Sequence, residues 1–158
     1  MQLLGTHRVS LSHVRRQALR CYALDVAAEP LLLNGTHEDR DGRTKAEYEE
    51  LYSTEILALA IAIRTLFYQG ADPQGTTKFV SASGFLDRYN SIAEQTVPFT
   101  VKDVCDKIIH ATSIWKTLKE GAENSTTTLD GQEARGMRWQ LSFSVTLFIE
   151  GLLEWLNT

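Results

Sequence analysis

The chain has 158 residues, 43% hydrophobic and 23% charged, with a formal net charge of −4. That is the length and balance of one globular domain that buries a sizeable core without a metal or disulfide staple, and its acidity argues against a protein that coats nucleic acid or an anionic membrane. Cys21 and Cys105 cannot by themselves make a disulfide framework or a zinc site.

The first 20 residues hold His7, Arg8, His13, Arg15, Arg16 and Arg20 but no apolar core of a secretory signal, so the expected location is cytoplasmic, with reduced thiols. Leu11 to Ala28 reads as the first helix. Leu11, Val14, Ala18, Cys21, Tyr22 and Val26 follow helical spacing, Arg15, Arg16 and Arg20 lie on other faces, and Pro30 limits continuation. Residues 34–44, with two glycines and mixed charges, read as an exposed loop. Thr44, with Glu47 three residues on, forms a capping-box pattern for a helix from Lys45 to Gln69 that Gly70 ends. Its first half is acidic and its second half apolar all round. The run from Ile56 to Tyr68 is about 13 residues, short of the ~20 that span a membrane, and reads as a core helix.

Ser83 to Ala93 fits another helix, with Phe85, Leu86, Tyr89 and Ile92 to one side. A short helix follows from Val101 to about Ala111, with Thr100 as N-cap and Asp103 three residues later. The period then changes. Ile114, Lys116 and Leu118 alternate with Trp115 and Thr117, a weak strand pattern. Met137, Trp139, Leu141 and Phe143 alternate cleanly with polar residues, and Thr126 to Thr128 supplies a partner, so 124–143 reads as a β-hairpin. A hairpin is marginal alone and must pack its tryptophan on the helices. Ser144 to Leu156 closes the chain as a helix. The expected fold is a mainly α single domain, 1–158: a bundle of about five helices with a small antiparallel hairpin before the last. The expected core includes Leu57, Ile61, Leu66, Phe67, Ile108, Trp139, Phe148 and Leu152.

The segment Cys105-Asp106-Lys107-Ile108-Ile109-His110-Ala111 carries the most chemistry. Val101, Val104, Cys105, Ile108 and Ile109 form one apolar stripe, with Asp103, Asp106, Lys107 and His110 on the other side. Asp106 and His110 are four residues apart, and a carboxylate beside an imidazole favours imidazolium and orients it for proton transfer. The plain alternative is a satisfied pair on an exposed face. Arg64 interrupts the apolar helix, where a charge must be paired or reach water. It either stands beside Asp106 or His110, or forms a structural salt bridge to Glu55, Asp87 or Asp103, or snorkels to the surface. His7 and His13 lack further ligands at zinc spacing, and no Walker loop, dinucleotide fingerprint or nucleophile elbow occurs, so no metal or cofactor is expected.

On Asp106 to Ala111 the sequence resembles HEPN-type helical proteins of bacterial defence and toxin systems. It is also similar to uncharacterised bacterial proteins with a like helix, a strand pair with a central tryptophan and a closing helix. By that resemblance His110 matches the family histidine, in an acid–base or nucleophilic role, and Asp106 the polar position. The position of the family's phosphate-binding arginine is held by Cys105, which has no guanidinium. A literal arginine–histidine spacing at Arg8 and His13 is of the kind that about one chance match explains, given ten arginines and four histidines. The resemblance implies a homodimer. The function expected first is a non-catalytic or weakly catalytic accessory protein of a mobile-element or defence locus, acting through protein or RNA contacts, although the net charge gives RNA no support. The alternatives are a metal-independent RNase using His110 with Asp106 and Arg64, and a small-ligand protein with a pocket lined by tryptophan and tyrosine.

Overall fold

The structure is a computed structural model that describes residues 8–33, 42–70, 77–89, 94–121 and 124–157. Among these residues it contains four helices and a five-stranded antiparallel sheet. The helices are α1 (Leu11–Leu32), α2 (Arg43–Tyr68), α3 (Val101–His110) and α4 (Val145–Leu156). The strands are β1 (Gly84–Tyr89), β2 (Glu94–Val97), β3 (Ser113–Thr117), β4 (Thr126–Gln132) and β5 (Arg138–Phe143), in the order β2-β1-β5-β4-β3.

The expected five-helix, mainly α bundle is therefore wrong. The hairpin exists as β4–β5, with Thr127 opposite Phe143, but it is the centre of a sheet and not an appendage. Strand β5 is paired on both sides, and its second neighbour is β1, which the helical spacing of Phe85, Leu86 and Tyr89 concealed. In a six-residue strand Leu86 alone is buried, so the local pattern does not show the period of two. Tertiary pairing overrides such weak local preference. Gly84 marks the true structure: a Cβ there would lie 2.0 Å from the Ser142 carbonyl oxygen, so only glycine lets β1 start this close to β5.

One row across the sheet, Leu86, Leu141, Leu129 and Ile114, shows how the inward face is built from register-matched apolar residues of four strands. The helices pack on this face in the order α3, α2, α1, α4. Helix α2 matches a membrane-crossing helix in length and hydropathy. Here it lies between α1 and α3 and buries eight residues, including Ile56, Leu59, Ile63 and Leu66. The opposite side of α2 is bare: Leu57 is 39% exposed and Ile61 50% exposed, so neither belongs to the core. Leu66, Ile108, Trp139, Phe148 and Leu152 are buried as expected, and Phe67 is partly buried against them.

Several helix ends differ from expectation. Helix α1 runs two residues past Pro30, whose missing N–H falls on the exposed last turn where water can reach the freed carbonyl. Helix α2 starts at Arg43, so Arg43 and Thr44 are helical and not part of a loop; the remainder of that expected loop, 34–41, lies outside the described residues. Its N-cap is Gly42, with φ +67°, a left-handed turn that brings the chain into the helix without a Thr44 cap. Gly70, at φ +77°, ends α2 as the sequence indicates. Ser144 caps α4 by accepting from the Leu147 N–H.

Candidate functional site

Helix α3 is positioned by a complete capping box. The Thr100 hydroxyl accepts from the Asp103 N–H, and the Asp103 carboxylate accepts from the Thr100 N–H. The apolar stripe Val101, Val104, Cys105 and Ile108 is buried, which fixes the helix about its axis and sends Asp106 toward α2. There the Arg64 Nε stands 2.9 Å from Asp106 Oδ1, and Lys102 Nζ donates to Asp106 Oδ2 at 2.6 Å. Arg64 also donates to the Tyr68 hydroxyl at 3.0 Å, with its guanidinium carbon 5.0 Å from that ring's centre. Arg64 thus stands beside Asp106, and Glu55, Asp87 and Asp103 are not its ion partners.

His110 is not drawn into this cluster. It is exposed at the C-terminal end of α3, and no described residue hydrogen-bonds or ion-pairs with its imidazole. Asp106 uses its oxygens on Arg64 and Lys102, so the expected Asp106–His110 pair does not form. Cys105 is fully buried on the apolar stripe, and burial pushes its thiol far above the ordinary value. It behaves as a small hydrophobe. Lys107, expected on the solvated side, is buried: its Nζ donates to Glu133 Oε1 at 2.7 Å and lies 4.5 Å from the centre of the Trp139 ring. The Lys107 hydrogen bond holds the Glu133 carboxyl below its ordinary value.

A second polar centre was missed by sequence reasoning. Asp25 on α1 is 4% exposed and ion-pairs with Lys116 of β3. Its carboxylate also accepts from the Tyr52 hydroxyl of α2 at 3.1 Å, the Ser125 hydroxyl at 3.3 Å, and both the N–H and hydroxyl of Thr146 on α4. Tyr52 in turn shares a 2.7 Å hydrogen bond with Thr127 of β4, and the Lys116 ammonium lies 4.8 Å from the Tyr52 ring centre. Burial lowers the Lys116 pKa and raises that of Tyr52. Two signals pointed here: Asp25 sits four residues after Cys21 on the apolar side of α1, and Lys116 shares the inward side of its strand with Ile114.

Among the described residues, no three of His, Cys, Asp and Glu cluster so as to hold a metal. Both cysteines are free thiols. Arg15, off the apolar stripe of α1, reaches the C-terminus of α4, donating to the Leu156 carbonyl and, at 3.2 Å, to Asn157 Oδ1. No protein-family model, curated protein or solved structure matches the chain.

Proposed function

We propose that this chain is a non-catalytic interaction protein that docks through the α2–α3 face onto a second copy of itself. The observation that carries this is the exposure of Leu57 and Ile61, two large aliphatic residues one turn apart in the middle of α2. Beside them a shallow groove of about 230 Å³ runs between α2, α3 and β3, lined by Leu57, Ile108, Ile109, Ala111 and Ile114. The charges next to this strip, Arg64 and Lys102 with Asp106, are paired within the chain, so a copy related by a two-fold axis covers apolar with apolar and leaves no charge uncompensated there. The role as an accessory protein of a mobile-element or defence locus belongs to the same proposal and is supported by the resemblance around His110.

A second reading is favoured by the Arg64–Asp106 contact. A metal-independent RNase would use His110 as the acid–base residue, with Asp106 and Arg64 in support. Against it, both groups are already engaged with each other, and His110 stands apart from them. Two measurements on the purified protein separate the readings. Light scattering during gel filtration is expected to give a dimer for the wild type and a monomer for a folded Ile61→Glu variant; a wild-type monomer removes the dimer proposal. RNA incubated in EDTA is expected to stay intact with both wild type and His110→Ala. Cleavage by the wild type alone puts the nuclease in its place.

A further inference from the structure

A cavity of about 510 Å³ opens between the C-terminal end of α1, the first turns of α2 and the edge strand β3, where Ile114 separates it from the docking groove. Its walls are Leu32, Leu118 and Ile114 with the aromatic residues Tyr48, Tyr52 and Trp115, and its charged groups are Lys45, Glu49 and Lys116. This volume is in the range of sites for small organic molecules, as is the mixture of apolar wall and few polar groups. Tyr48 and Tyr52 are stacked, with ring centres 5.7 Å apart and planes 19° from parallel. The Tyr48 hydroxyl is spent on the Leu24 carbonyl at 2.7 Å, and the Tyr52 hydroxyl on Asp25 and Thr127. These two rings therefore offer the cavity surfaces and not hydroxyl groups.

We propose that this cavity binds a flat aromatic carboxylate, its ring against the tyrosine wall, its carboxylate accepting from Lys116. An ammonium has three N–H donors. Asp25 takes one from Lys116 and the Tyr52 ring faces another, which leaves one for a ligand. The counter-charge does not compete for the ligand's place. Asp25 does not line the cavity, and it is held from behind by Tyr52, Ser125 and Thr146. Lys45 stands on the same lining, exposed and 3.8 Å from Glu49.

The test uses 8-anilinonaphthalene-1-sulfonate, an aromatic anion whose fluorescence rises in apolar sites, with 2-naphthoate and the uncharged 2-naphthylmethanol as competitors. One probe molecule is expected to bind per chain. Naphthoate is expected to displace it at about tenfold lower concentration than the alcohol, the worth of one charge-assisted hydrogen bond. Leu33→Glu and Lys45→Glu, both at accessible lining positions that leave the buried Asp25–Lys116 pair intact, are each expected to weaken the probe several-fold, whereas Ile61→Glu leaves it unchanged. Equal displacement by acid and alcohol overturns the carboxylate assignment. Probe binding that survives Leu33→Glu and Lys45→Glu overturns the cavity, and its loss in Ile61→Glu places the probe on the docking strip.

Discussion

The Asp25 carboxylate accepts from groups on α2, β3, α4 and the segment before β4, so one side chain of α1 ties three of the four helices to the sheet edge. Removing its charge leaves the Lys116 ammonium buried without a counter-ion, which costs far more than the pair contributes. We expect Asp25→Asn to lose about 3–5 kcal/mol of stability, read from the urea midpoint. Lys116→Met in the same chain is expected to recover part of that loss, because the buried charge goes with its partner. If the two losses simply add, the pair is not coupled. At this scale the sequence was half legible. Arg64 in an apolar helix announces a need for a partner, and Asp106 met it. Asp25 and Lys116 each occupy an inward position, but nothing local says that residues 91 apart meet.

At the level of elements, the ends of α3 and α4 were readable because caps are local chemistry: Thr100, Asp103 and Ser144 satisfy N–H groups a few residues away. Strand β5 was readable because Trp139, Leu141 and Phe143 alternate strictly with polar residues. Strand β1 was not, since its partner β5 lies some fifty residues on and only that pairing selects strand over helix. Glycine contacts test the sheet directly. A Cβ on Gly131 would come within 2.3 Å of the Trp139 ring, whereas one on Gly151 in α4 meets nothing within 4 Å. We expect Gly131→Ala to destabilise by about 2–3 kcal/mol through overpacking, and Gly151→Ala to stabilise by about 0.5–1 kcal/mol through helix propensity. Denaturant midpoints of the two variants moving in the same direction contradict this packing.

The whole molecule carries a set of buried acids that share one pH response. Burial pushes the Cys21 thiol up to about 12 and raises Cys105, Tyr48 and Tyr52 well above their usual values of 9.0 and 10.0. In the unfolded chain these groups release protons as the pH passes those usual values, while the folded chain keeps them. The folded state then binds more protons, and stability falls as pH rises. Lys116 has the opposite sign: burial lowers its pKa from 10.5, so its contribution favours folding as pH rises toward that value. Four groups oppose one. We expect the urea midpoint to drop between about pH 9 and 11, with a shallower drop in a Cys21→Ala, Tyr48→Phe variant. A midpoint that is flat over this range contradicts the burial of these groups.

The sequence by itself determined the three clearest helices, the capped start of α3, the β4–β5 hairpin and five of the eight residues expected in the core, because spacing, caps and alternation act over a few residues. Tertiary structure alone decided that the hairpin grows into a five-stranded sheet, that one side of α2 stays bare at Leu57 and Ile61, and that Asp25 meets Lys116. Those outcomes depend on which distant segments pair, and on how many neighbours a helix acquires. A local pattern marks a residue as apolar or charged, but only the packed chain decides what covers it.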